Sequence, residues 1–197
     1  MLKEHSVKSW IISLLALLAL LALLVAAAVR SCRRQPSSLP ADDGKSLLRQ
    51  ALAADCAEDF VKAAELYRMA AEQGVPEAQN NLGVMYKDGQ GVGQDYAEAA
   101  RWFTLAAEQG NVLAQSNLGW LYQSGNGVPC DYAAARKWYL MAACKGHAAA
   151  QNNLGTMYRD GQGVGENTDS ARYWFEQAAA QGMALAQRNL EKLEAEQ

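Results

Sequence analysis

Groups able to do chemistry are scarce in this 197-residue chain, and their scarcity excludes more than it suggests. There are 2 histidines, His5 and His147. His147 sits near a predicted turn beside Lys145, with no cysteine or carboxylate at metal-ligand spacing, so no metal site is expected. The 4 cysteines contain no C-x-x-C. Cys130 and Cys144 fall at opposite ends of one predicted helix, about 20 Å apart, beyond the reach of a disulfide. No nucleophile–base pair or carboxylate dyad is visible, so neither catalysis nor a cofactor is expected. Gly44-Lys45-Ser46 resembles the end of a phosphate-binding loop, but the glycine required earlier is replaced by Leu39 and no strand precedes it. Gly89-x-Gly91-x-Gly93 follows a predicted helix rather than a strand, and reads as a turn rather than a dinucleotide fingerprint.

Excess positive charge is also missing from most of the chain. Of 18 Lys+Arg, five lie in residues 1–34, leaving 13; of 21 Asp+Glu, one lies there, leaving 20, so residues 35–197 carry about −7. A nucleic-acid-binding domain would need a basic face, and this one has none. No small-molecule substrate is expected either. Strand-type alternation of apolar and polar residues is absent throughout.

What is present is a register. AQNNLG at 78–83 returns as AQSNLG at 114–119, AQNNLG at 150–155 and AQRNLE at 186–191, each 36 residues after the last. Leu82, Leu118, Leu154 and Leu190 align, as do Gly83, Gly119 and Gly155, then Trp102, Trp138 and Trp174. Backwards, Asp59, Ala63, Ala70 and Gly74 match Asp95, Ala99, Ala106 and Gly110. Self-similarity at such a period marks a solenoid, in which each unit buries its apolar face on its neighbours.

Each unit reads as two helices. In the first, Ala78, Leu82, Met85 and Tyr86 form one face of a 3.6-residue period. The loop glycines beginning at Gly89 end it, since glycine tolerates left-handed geometry. The second starts at Asp95, a predicted cap, with Glu98 reaching back to complete a capping box. In the third copy Asn167 and Thr168 replace Asp-Tyr, and cap duty is expected to pass to Thr168 or Asp169. The expected fold is an all-α, right-handed α-solenoid of antiparallel helix pairs over residues 47–197, with repeats at about 75–110, 111–146 and 147–182 and partial units at both ends.

The pattern A-x-x-x-L-G-x-x-Y-x-x-G-x-G-V-x-x-D-Y-x-x-A-x-x-W-[FY]-x-x-A-A-x-x-G resembles the Sel1-like repeat, a relative of the tetratricopeptide repeat, over roughly residues 59–190. The resemblance implies an adaptor that holds a protein or peptide partner. It also brings a contrast: secreted members often carry a cysteine pair in each unit, and this chain does not.

Residues 10–29, WIISLLALLALLALLVAAAV, are the one long apolar run. Twenty helical residues span about 30 Å, so the segment reads as a transmembrane helix or uncleaved signal anchor behind a short tail at 1–9. A cleaved signal peptide, with an A-x-A site at Ala26–Ala28, is the alternative. Cys32 has the position of an acylated cysteine, although Arg30 fits that poorly. Lys3 and Lys8 precede the run while Arg30, Arg33 and Arg34 follow it, a count that leans towards a cytoplasmic repeat domain and leaves the side open. Residues 30–46 read as a flexible stalk. The expected localisation is a single-pass membrane protein contacting lipid through residues 10–29.

First helices line the concave side of such a stack. Asn81, Asn117, Asn153 and Asn189 recur there, either as an amide ladder for an extended peptide or as bridges between repeats. Val84, Trp120 and Thr156 share one register, which makes Trp120 a candidate anchor, unless its ring packs on a neighbouring turn. Lys87, Gln123 and Arg159 add donors on the same face. The last helix, from Ala186, is expected to cap the array with a polar outer face, or else to pair with another chain.

Overall fold

The computed structural model describes residues 43–195. Among them are nine helices and no strand: α1 Asp43–Cys56, α2 Phe60–Glu72, α3 Pro76–Asp88, α4 Tyr96–Glu108, α5 Val112–Ser124, α6 Tyr132–Ala143, α7 Ala148–Arg159, α8 Thr168–Ala179 and α9 Ala184–Ala195. Each packs chiefly on the helices before and after it in the chain, α1 on α2, α2 on α3 and onward to α9. That is the contact pattern of a solenoid. Asp43–Ser46, at the end of the expected stalk, lie in α1. The tail, the apolar segment 10–29 and the stalk up to residue 42 lie outside the described residues. No helix of the described residues is long and apolar enough to cross a membrane.

Two sets of glycines set the packing. A Cβ at Gly83 would stand 2.7 Å from the Phe103 ring, at Gly119 2.8 Å from Tyr139, and at Gly155 2.5 Å from Phe175. The second helix of each pair therefore lays an aromatic ring directly on the first. Phe103, Tyr139 and Phe175 are fully buried as a result, and Tyr67 is buried in the same register above Leu47 rather than a glycine. The other set joins successive repeats. Gly91 has φ 69° and Gly127 φ 70°. A Cβ there would meet the Phe60 carbonyl oxygen at 2.1 Å or the Tyr96 carbonyl carbon at 2.3 Å, so each loop rests on the start of the preceding second helix. Only glycine suits both the conformation and the approach.

The caps depart from expectation in two places. Asp95 accepts from the backbone N–H groups of Ala97 and Glu98 at 2.9 and 3.0 Å. Its own N–H donates to the Tyr86 carbonyl at 2.9 Å, so the reciprocal half of the capping box has no donor to satisfy. Glu98 turns outward to Arg101 at 2.9 Å. In the third copy the cap is Asn167 itself, accepting from Ser170 N–H at 2.8 Å, rather than Thr168 or Asp169. The extended backbone that precedes the first helical turn falls on Asn167, and capping follows that geometry.

Candidate protein-binding face

The first helices α3, α5 and α7 expose one face running through positions 77, 81, 84 and 88 and their equivalents. The asparagines on it are occupied. Asn117 donates to Asn80 Oδ1 at 3.2 Å, across adjacent first helices, and Asn80 donates to Asn81 Oδ1 at 3.2 Å. Asn189 donates to Asn152 Oδ1 at 2.9 Å. The bonds among these amides tie repeats together. Asn81 and Asn153 act on the hydroxyls of Tyr67 and Tyr139 in the direction that lowers their pKa, against the larger effect of burial. Burial pushes the Tyr67 hydroxyl up to about 12 and raises that of Tyr139 as well. Both therefore act as neutral donors, Tyr67 to Asp55 at 3.3 Å and Tyr139 to Gln123 Oε1 at 2.9 Å.

Gln123 is likewise engaged, since its Nε2 donates to Gln162 at 2.8 Å in the next repeat. Lys87 pairs with Asp88 at 2.5 Å and Arg159 with Asp160 at 2.6 Å, all four side chains partly exposed. Trp120 is 38% exposed. Its ring leans on Tyr96, with centroids 6.2 Å apart and planes at 47°. It packs on the start of the preceding second helix rather than on a turn, and still offers an indole surface to solvent.

Sequence reasoning passed over the glutamines. Gln79, Gln115 and Gln151 are buried and donate to the carbonyls of Ala71, Ala107 and Ala143 at 3.1, 3.1 and 3.2 Å. Each latches a first helix to the end of the preceding second helix, adding a second donor to a carbonyl that already accepts from Gly74, Gly110 or Gly146 N–H. Gln109 and Gln181 then donate to Gln79 and Gln151 at 2.7 Å. The signal was in plain view, because Gln follows Ala in every copy of the motif. Among the described residues, Cys56, Cys130 and Cys144 are free and exposed, and no group of three or more His, Cys, Asp or Glu side chains gathers at metal-binding distance.

A family model described as "Sel1 repeat" matches residues 52–75, 76–111, 112–147 and 148–183. A solved structure of c5321, a protective antigen present in uropathogenic Escherichia coli strains and displaying an SLR fold, is 38% identical with a TM-score of 0.71. It aligns over 73% of this chain and 32% of its own. A Sel1 repeat protein from Oxalobacter formigenes is 32% identical, with a TM-score of 0.69, over 73% of this chain and 57% of its own. This chain thus spans about a third to just over half of the length of those structures. A comparison with curated proteins finds no match.

Proposed function

Since the chain belongs to the Sel1 repeat family, we propose that it is a scaffold rather than an enzyme, and that it binds a protein or peptide segment along the exposed face of its first helices. The observation that carries this reading is Trp120. It is the large aromatic side chain of that face left exposed, in a register otherwise held by Val84 and Thr156. Partly packed indoles that keep an open surface are typical interface anchors. The neighbouring amides, already spent within the array, hold that ring on a rigid base instead of offering themselves to a peptide backbone.

The face is the inner surface of a right-handed stack. Residues 10–29 anchor the array, so that the partner is held close to a bilayer in a membrane or envelope complex. A signal-cleaved form that leaves the membrane is the competing reading, and N-terminal sequencing of the mature chain separates the two. Crosslinked capture from membranes, comparing wild type with Trp120→Ala, tests the binding face. Loss of captured protein with an unchanged helical melting curve is expected, and undiminished capture overturns the assignment.

A further inference from the structure

The middle first helix departs from its neighbours on the binding face. Residues 78–93 and 150–165 are identical except at 84/156, Val against Thr, and at 87/159, Lys against Arg. On α5 the 84/156 register carries Trp120, and the position held by Glu77 on α3 and Ala149 on α7 carries Leu113. Leu113 is 52% exposed and Trp120 38%. Seven residues apart, they stand on one side of α5, about 10 Å from each other along its axis. Tyr132 completes the patch. It stands to Thr156 as Tyr96 stands to Trp120, but threonine is too short to cover a ring, so Tyr132 is exposed where Phe60 and Tyr96 are half-buried. Small Ala149 and Thr156 thus floor a notch over α7, with Leu113 and Trp120 along one side and Tyr132 at one end.

Resting on the binding face described above, we propose that this notch receives a short amphipathic α-helix of the partner protein, lying along α5 with two apolar side chains seven residues apart. The main chain decides between a helix and an extended segment. An extended segment leaves its N–H and C=O groups for the receiving surface to bond. The amides here already bond one another, Asn117 to Asn80, Asn80 to Asn81, Asn152 to Asn153 and Asn189 to Asn152. A helix satisfies its own main chain and needs only apolar contact.

Spacing points the same way. Residues seven apart on a helix return to within about 20° of one side and advance about 10 Å, matching Leu113 and Trp120. In a strand, residues seven apart face opposite sides. Charge adds no preference, since Lys87 is paired with Asp88 and Arg159 with Asp160 beside the notch. The side of the ligand that enters is therefore apolar and uncharged. Size excludes a second copy of this chain, because a stable protein pair engages about 20–30 residues a side and the notch offers a handful.

The test uses the full chain in detergent and fluorescently labelled, helix-forming Ala/Gln/Lys/Glu peptides that carry two Leu residues. By anisotropy, a seven-spaced Leu pair is expected to bind about tenfold more tightly than a five-spaced pair, which a helix turns apart, the scale of one buried apolar side chain. A central Pro in the seven-spaced peptide should cost as much. Leu113→Ala and Trp120→Ala should each remove the advantage. Thr156→Trp, which places there the ring its register already holds at Trp120, should fill the notch and abolish binding with the helical melting curve unchanged. Equal binding of the three peptides, or none, overturns the proposal, as does full binding by Thr156→Trp. If the peptides fail while Trp120→Ala still reduces capture from membranes, only the helical ligand falls. If Trp120→Ala has no effect either, the binding face itself falls.

Discussion

Lys145 and Gln115 hold the register positions at which Gln109 bonds Gln79 and Gln181 bonds Gln151, yet they do not bond. Lys145 occupies the position from which Gln109 and Gln181 reach a buried glutamine, but its Nζ donates to the Gly110 carbonyl at 2.9 Å. Gln115 is fully buried, and its Oε1 has no hydrogen-bond partner. One junction of the array is therefore held by a direct turn-to-turn bond where its neighbours have a relay of two amides.

Replacing Lys145 with Gln should restore the relay. A buried acceptor without a partner costs about 1–3 kcal/mol, and a new amide donor recovers part of that after the Gly110 bond is lost. Lys145→Gln is expected to raise the stability of the array by about 1 kcal/mol in urea denaturation. An unchanged or lower midpoint would show that Gln115 is satisfied in solution.

Gly155→Ala places a methyl 2.5 Å from the Phe175 ring. Ring and helix are both confined by neighbouring repeats, so relief requires the pair α7/α8 to spread. Overpacking of this kind costs about 1–3 kcal/mol, read as a lower thermal midpoint by circular dichroism.

Tyr139→Phe removes the donor to Gln123 while keeping the ring on Gly119. Phe103 and Phe175 occupy the same register, so the ring itself is tolerated. The cost is the hydrogen bond, about 1 kcal/mol. The same substitution frees Gln123 Oε1, so amide hydrogen exchange should rise locally in α5.

His147 caps α7, its Nδ1 accepting from Ala150 N–H at 3.3 Å. A protonated imidazole cannot accept there. Burial lowers the His147 pKa below its ordinary 6.5 in the folded chain. Folding thus favours the neutral ring, and its contribution is fully present above pH 6.5 and lost as pH falls through that value and on past the lower folded pKa. Melting temperatures at pH 8 and pH 5 should differ more for wild type than for His147→Asn, which places at this position the asparagine that caps α5 from Asn111. An identical pH profile for the two would remove His147 as the cause.

The period, the paired helices and the packing roles of Leu82, Gly83 and Trp102 were legible because each follows from spacing alone. The fate of Asn117 was not. An amide pointing to solvent and one bonded to Asn80 have the same sequence, and which occurs depends on how closely two first helices approach. Gln79 was hidden for a related reason. A polar residue beside an apolar stripe reads as surface until the adjacent helix end, with the carbonyl of Ala71, is put in place. The cap at Asn167 was misjudged because side-chain preference ranks Asn, Thr and Asp alike, whereas backbone geometry chooses one. Trp120 stands out by its register alone, but its lean on Tyr96 needed the preceding repeat in position.

The two kinds of turn also differ in what they permit. The loop at Gly127 is wedged against Tyr96, whereas a Cβ at Gly74, Gly146 or Gly182 would meet nothing within 4 Å. The chain can therefore be nicked, lengthened or re-joined between repeats at little expense, while the same surgery inside a repeat unseats the one before it. Growth or trimming of this array, in nature or in the laboratory, would keep its seams at the Gly74-type turns.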